Sequence, residues 1–473
     1  MRLTLPGNLD PLLLLLKFHS AAQRPQAQNT MAINDDSSLL SIIRKGGIGR
    51  QMAHGAIAST GLTIAKNFLL LAVSILLARM LEPTGYGQYA FAMSLAKVLS
   101  IFATLGLPWL LTREIAAGEA KEEWSFARGL TRHADQAVSL ALVLIVSAGV
   151  TAVLLWPHLG REFRLTLILA LIYLIFNSFG QLRGAQLMGF RRVIAGQIGI
   201  LCVQPVLLLA AVLIIAYVIE IPLTSAIAFF LTAVAAFVVL VLNVVLAHQY
   251  HPPRWRNATP ARSMPGWLKS AAPFGVMSGL FLVNSQIDLI MLGFFKPRDQ
   301  VGLYQVAASG AAILPLILTA LNPVLGPTMS RFHTLGDKAK LRRAARVGAL
   351  VSLMGAAPIF LIFLFLGKTI IGVVFGAAYL GAWIPLIILS AGQFMNAAVG
   401  PVGLLLTMTG HEGETVRIMG VSTVLNIALN AALIPLFGMT GAATATAVSL
   451  FFWNVTLALR VRRRFGYFLT PLI

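Results

Sequence analysis

The sequence predicts an all-α polytopic membrane protein of about 12 transmembrane helices, in two six-helix lobes around a central cavity. Three observations predict this class. Hydrophobic residues make up 58% of the 473 and charged residues only 11%, with a mean hydropathy of +0.83. A soluble chain carries roughly 25% charged residues to face water, so this one must use lipid as solvent for much of its surface. Apolar runs long enough to span recur along the chain, a crossing helix needing about 20 residues. Lysine and arginine gather in alternate connecting segments.

The helices are expected near 56–80, 86–112, 129–156, 165–188, 194–218, 222–247, 268–294, 301–328, 346–366, 382–408, 415–435 and 438–459. They must be helices, because lipid offers no partners for backbone N–H and C=O groups and the runs are too continuous for barrel strands. With the N-terminus inside, cytoplasmic segments hold 28 of the 36 Lys and Arg, outer loops hold five, and Lys66, Arg79 and Lys97 fall within helices. This bias puts both termini in the cytoplasm of a multi-pass protein. The formal charge of +20 is therefore mainly a topology signal, met by anionic lipid headgroups. No basic stretch is interleaved with stacking aromatics, so no nucleic-acid partner is implied.

The organisation follows. Residues 1–50 form an N-terminal extension ending in a cytoplasmic interfacial helix at 39–50 (LLSIIRKGGIGR). The leucine run at 12–16 is too short to span and follows two prolines and an acid, which fits a disordered extension better than a signal peptide and makes Met31 an alternative start. Residues 51–248 form an N-lobe, 249–267 a Pro- and Arg-rich cytoplasmic linker, 268–460 a C-lobe and 461–473 a cytoplasmic tail. The single cysteine, Cys202, excludes an internal disulfide and a cysteine-based zinc site.

The lobes repeat. Pro83 is followed by Gly87-Gln88-Tyr89, and Pro297 by Gly302-Leu303-Tyr304; Pro108 and Pro323 each lie 19 residues beyond the tyrosine. Both copies begin on the cytoplasmic side, so the repeat is parallel about an axis along the membrane normal, as in carriers whose halves rock around a central site.

Three stretches, 76–113 (LLARMLEPTGYGQYAFAMSLAKVLSIFATLGLPWLLTR), 273–304 (PFGVMSGLFLVNSQIDLIMLGFFKPRDQVGLY) and 425–449 (LNIALNAALIPLFGMTGAATATAVS), resemble the polysaccharide-transport, Wzx-type oligosaccharide flippase branch of the MATE-like (MOP) superfamily. The resemblance implies a transporter and not an enzyme. It implies movement of an undecaprenyl-diphosphate-linked oligosaccharide from the cytoplasmic to the periplasmic leaflet by alternating access, for exopolysaccharide, capsule or lipopolysaccharide assembly. Lipid-linked oligosaccharide and membrane lipids are the implied partners, with a polysaccharide polymerase and glycosyltransferases beside them. It also points to an acid in the seventh helix, here Asp288. Two rivals stand: an ion-coupled exporter of small cationic molecules, and a membrane-embedded polymerase or ligase.

Such a substrate asks for a hydrated, cationic path, and charges inside helices are costly without a purpose. Lys66 and Lys97 lie near the middle of the first two helices. Either they face the cavity and meet the diphosphate, or they snorkel or pair. Arg79 is a third cation for that cavity, or a partner of the nearby Glu82. Asp288, with Asn284 one turn away and Ser285 beside it, suits Na⁺ or H⁺ coupling; its alternatives are an interhelical hydrogen bond or a pair with Lys296 or Arg298. Asp135 is explained by pairing with Arg132, and Asn426 with Asn430 share a helix face. Cation export would want acids in the cavity, and a polymerase or ligase a long outer loop; neither is found. Gly367-Lys368-Thr369 lacks the first glycine of a P-loop, and His411-Glu412 lacks the second histidine of a zinc protease. No cofactor or metal site is expected.

Overall fold

The structure, a computed structural model, describes residues 48–157, 159–261 and 267–468. Nearly all of the expected N-terminal extension and the end of the linker lie outside the described residues. Within them every regular element is helical. The first half comprises α1 (Ile48–Thr104), α2 (Leu107–Lys121), α3 (Trp124–Leu155), α4 (Arg161–Gly189), α5 (Val193–Ile219), α6 (Ser225–Tyr250) and the short α7 (Pro253–Asn257). The second comprises α8 (Trp267–Phe295), α9 (Arg298–Ala311), α10 (Leu316–Thr334), α11 (Lys338–Val374), α12 (Ala377–Val399), α13 (Val402–Met408) and α14 (Glu412–Phe465).

Two of these are too long for one crossing. α1 has 57 residues and α14 has 54. At the helical rise each would run roughly 80 Å, against a hydrocarbon layer less than half as thick. Each breaks where the sequence marks it. Glu82 takes a left-handed φ of 56° just before Pro83, which cannot donate to the helix ladder. Gly438 takes a φ of 57° shortly after Pro435. The chain turns back at both breaks: Ser74 and Tyr86 meet at 2.7 Å across the first, and Ser422 donates to the Ser449 carbonyl at 3.0 Å across the second. Among the described residues eight helices have the length and apolarity of a span. Dividing α1 and α14, and adding α8 and the pair α9–α10 bent by 46°, gives the 12 crossings.

The differences from the sequence reading are local. The expected helix 86–112 is cut by left-handed Leu105 and Gly106 (φ 49° and 74°), so α2 starts afresh. The expected 382–408 is cut at Gly400 (φ 80°) and Pro401. α11 begins earlier than expected because Asp337 caps it, accepting from the Lys340 N–H at 2.9 Å; that bond holds its carboxyl below the ordinary range. Asp135 pairs with Arg183 at 2.8 Å and not with Arg132, tying α3 to α4. Large apolar side chains on the perimeter, among them Leu155, Val218, Phe365 and Leu436, are exposed, as lipid-facing surface is.

The buried cores show how the halves meet. One core draws from both: Tyr86, Phe91, Phe163 and Phe229 of the first half cluster with Leu292, Val301, Tyr304, Phe375 and Tyr379 of the second. It lies at the end holding the Pro83 and Pro297 turns. At the other end each half has its own core, around Leu107, Leu111, Leu130 and Leu182 in the first and Met329, Leu341, Leu406 and Leu457 in the second. A shared core joins the lobes at one end; at the other each half packs its own core, and α8 still meets the first half there, where a Cβ on Gly275 would lie 2.9 Å from the Leu105 carbonyl oxygen.

Candidate functional site

Three connected chambers occupy the space within and between the lobes. The largest, ≈ 700 Å³, is walled by both, from Lys66, Lys97, Tyr173, Asn177 and Gln204 on one side to Gln286 and Gln305 on the other. Ser100 and Gln181 are shared with a second chamber of ≈ 610 Å³, which continues to Trp109 and, across the lobes, to Thr407, Met419 and Trp453. Ser285 and Leu289 are shared with a third, ≈ 350 Å³, which contains Asp288.

Lys66 and Lys97 are brought together on the N-lobe wall of the largest chamber. Both are half-buried. Among the described residues neither has an ion-pair partner, and no carboxylate lines this chamber. Two cations therefore face a chamber whose described wall carries no counter-charge of its own, the nearest chamber carboxylates being Glu412 and Asp288 in the adjoining spaces, and such a wall attracts an anion.

Arg79 is not with them. It is exposed on the limb leading to Pro83, and none of these three chambers is lined by it. Its guanidinium reaches the other lobe, donating to the Val374 carbonyl at 2.7 Å and also to that of Val373. These are last-turn carbonyls of α11, which lack helical partners and carry the negative end of the helix dipole. Nor does Arg79 pair with Glu82.

Asp288 is buried, at 6% exposure. Tyr304 and Thr446 donate to Oδ2 at 3.0 and 2.5 Å, and Asn430 donates to Oδ1 at 2.6 Å. Asn430 also donates to Asn426 Oδ1 at 3.1 Å, while its own Oδ1 is buried without a partner. Asn284 and Ser285 line the same chamber but are not among its hydrogen-bond partners here. Asn284 and Ser285 thus share the chamber of Asp288 as their spacing predicts, while its hydrogen bonds come from Tyr304 of the repeat, Thr446, and Asn430 of the Asn426–Asn430 face. Lys296 donates instead to the Pro435 carbonyl at 2.9 Å. Arg298 lies over the rings of Phe91 and Phe163 in the other lobe, at 4.4 and 4.6 Å.

The repeated glycines meet at the joined end. A Cβ on Gly87 would lie 1.7 Å from the Arg298 carbonyl oxygen, and one on Gly302 would lie 2.1 Å from that of Pro83. Each glycine thus sits on the carbonyl four residues before the other, so the contact is two-fold symmetric and only glycine fits. Tyr379 of the second lobe donates to the Ala78 carbonyl of the first at 2.8 Å beside it.

Two lobes of six crossings, walling a hollow between them, make this a polytopic all-α membrane protein. The fold is similar to a multidrug resistance MATE family transporter of the MOP superfamily in an inward-facing conformation, with TM-score 0.69, 13% identity and coverage of 85% of this chain and 94% of the other. It is also similar to the lipid II flippase MurJ in an inward closed conformation, with TM-score 0.66, 14% identity, and 85% and 87% covered. The model of the polysaccharide biosynthesis protein family matches residues 52–333, and the chain belongs to that family. A probable low-salt glycan biosynthesis flippase, Agl15, of Haloferax volcanii is 30% identical over 165 residues, 35% of either chain. The match thus spans little more than a third of that relative's length.

Proposed function

We infer that the chain is a flippase moving a lipid-linked oligosaccharide, on an undecaprenyl-diphosphate carrier, from the cytoplasmic to the periplasmic leaflet by alternating access, for surface polysaccharide assembly. The observation that carries this reading is the pair of unpartnered lysines, Lys66 and Lys97, on a two-lobe chamber without a carboxylate. A diphosphate is the anion such a wall holds, and hydroxyls and amides around it suit the sugars. A cationic cargo would be repelled. The Lys and Arg bias puts the open end in the cytoplasm, so the clasped end is periplasmic and the chamber receives its load from the side where the lipid-linked sugar is made. The prenyl chain stays in the bilayer.

The reading includes coupling to Na⁺ or H⁺ at Asp288. A cation at this carboxylate would also satisfy the orphaned Asn430 Oδ1. The test is transport in vesicles containing the purified chain. Wild type is expected to move a polyprenyl-diphosphate-linked sugar between leaflets, and Lys66→Ala with Lys97→Ala to stop it while leaving the protein folded. Unimpaired movement by that double variant would remove the reading.

A further inference from the structure

The roof of the largest chamber is a chain of hydrogen bonds that crosses from one lobe to the other. Ser74 Oγ of the N-lobe donates to Ser309 Oγ of the C-lobe at 3.0 Å. Tyr86 OH meets Ser74 Oγ at 2.7 Å on one side, and Gln305 Nε2 donates to Ser309 Oγ at 3.2 Å on the other. All four line the chamber. Ser74 and Tyr86 are buried, while Ser309 and Gln305 are half-buried. The chain leads directly to the clasp above it: the Tyr86 ring packs edge-on against Tyr379, with centroids 6.4 Å apart, and Tyr379 bonds the Ala78 carbonyl across the lobes. The lobes cannot part at this end without breaking the Ser74–Ser309 bond.

The distance from the cations to this roof is set by the helices. Lys66 lies eight residues before Ser74 on one limb of α1, and Lys97 eleven after Tyr86 on the other. At the helical rise these are roughly 12 and 16 Å. A sugar head anchored by its diphosphate at the lysines reaches the roof only if it extends that far, which one ring does not. A head that does arrive brings tethered hydroxyls at high effective concentration. They exchange with the Ser74–Ser309 bond one for one, so the lobes part without leaving buried hydroxyls unpaired.

Resting on the flippase reading, we propose that Ser74, Ser309, Tyr86 and Gln305 measure the length of the sugar head, and that its contact with the interlobe hydrogen bond releases the periplasmic clasp. The four are specificity-determining residues of the transport cycle, acting at the far end of the chamber from the phosphate anchor.

The experiment uses the full chain in phosphatidylethanolamine–phosphatidylglycerol vesicles and two probes: a polyprenyl diphosphate carrying one N-acetylhexosamine, and the same carrier with a tetrasaccharide. The readout is the ratio of initial flipping rates, long over short, followed by oxidation of the emerging sugar with impermeant periodate. Wild type is expected to favour the long head. Ser74→Ala with Ser309→Ala should lower the ratio about fivefold, the worth of one hydrogen bond, by speeding the short head. Ser309→Thr, which keeps the hydroxyl, should preserve the ratio. Gln305→Leu should shift it the same way as the double variant and serves if that protein does not fold. A wild type indifferent to length, or a ratio unmoved by these substitutions, overturns the proposal while leaving the flippase reading intact. No protein-dependent movement of either head by wild type sinks both.

Discussion

In the first lobe Tyr89 meets Thr232 of α6 at 3.1 Å; in the second Tyr304 meets Thr446 of α14 at 3.4 Å. The same tyrosine, after the same Gly-x, finds a threonine on the last crossing of its own lobe. Around this shared frame the charges are opposite. Asp288 sits on the second tyrosine and threonine and faces the smaller chamber, whereas the first lobe puts Lys66 and Lys97 on the larger one. The skeleton is duplicated and the chemistry is not. Under the proposed function the first lobe supplies the wall for an anion and the second a buried carboxylate for a cation, so the two ligands need not compete for one site.

The largest expected effect comes from erasing the difference on the cationic side. Lys66→Ala with Lys97→Ala should cut flipping about a hundredfold, since truncating one partner of a desolvated charge pair costs several kcal/mol. Restoring a cation at one position should recover part of the rate, and a variant as active as wild type would show that the lobes' charge contrast is incidental. Next is the symmetric glycine contact: Gly302→Val or Gly87→Val places carbon where a carbonyl oxygen sits. It should hold the clasp open, measured as labelling of a cysteine at Leu81, buried in the shared core, by an impermeant thiol reagent in a Cys202→Ser background. If the clasp still closes, the close approach is not what joins the lobes. On the acidic side, Asp288→Asn should lower flipping about tenfold and flatten its response to Na⁺ or pH gradients, the loss of a charge-assisted bond being worth about 1.5–3 kcal/mol. An undiminished gradient response ends the coupling assignment. The smallest change is Arg79→Gln: the exposed side chain holds two carbonyls, and its loss should raise Leu81-cysteine labelling about threefold, the lower range for one hydrogen bond, without altering affinity for the diphosphate. A loss of affinity instead would return Arg79 to the substrate path.

Much of this frame was legible in the sequence. The Pro83-to-Tyr89 and Pro297-to-Tyr304 segments mark the duplicated turn because proline, glycine and tyrosine each answer a local demand: a missing donor, a close approach and a hydroxyl needing a partner. Helix limits were readable wherever apolarity changes sharply. They were missed at Leu105–Gly106 and Gly400–Pro401, where the run stays apolar and only the backbone turns. The lysines' chamber was anticipated because their depth follows from counting along one helix. The neighbours of Asp288 were not, because Thr446 is contributed by a crossing 158 residues away, and Arg79's hold on Val373 and Val374 depends on how the two lobes lean together. Spacing within a helix is local information; contact between lobes is not.

The glycine crossing carries an implication about origin. Residue 87 touches the chain at 298, and residue 302 touches it at 83, which is the reciprocity of a self-complementary dimer interface. A half-length protein of six crossings, inserted in one orientation, would make this junction with a second copy of itself before any fusion. Halves joined through one connecting segment need not carry the same charges, so the seam can keep its symmetry while Lys66 and Lys97 stand in one half and Asp288 in the other.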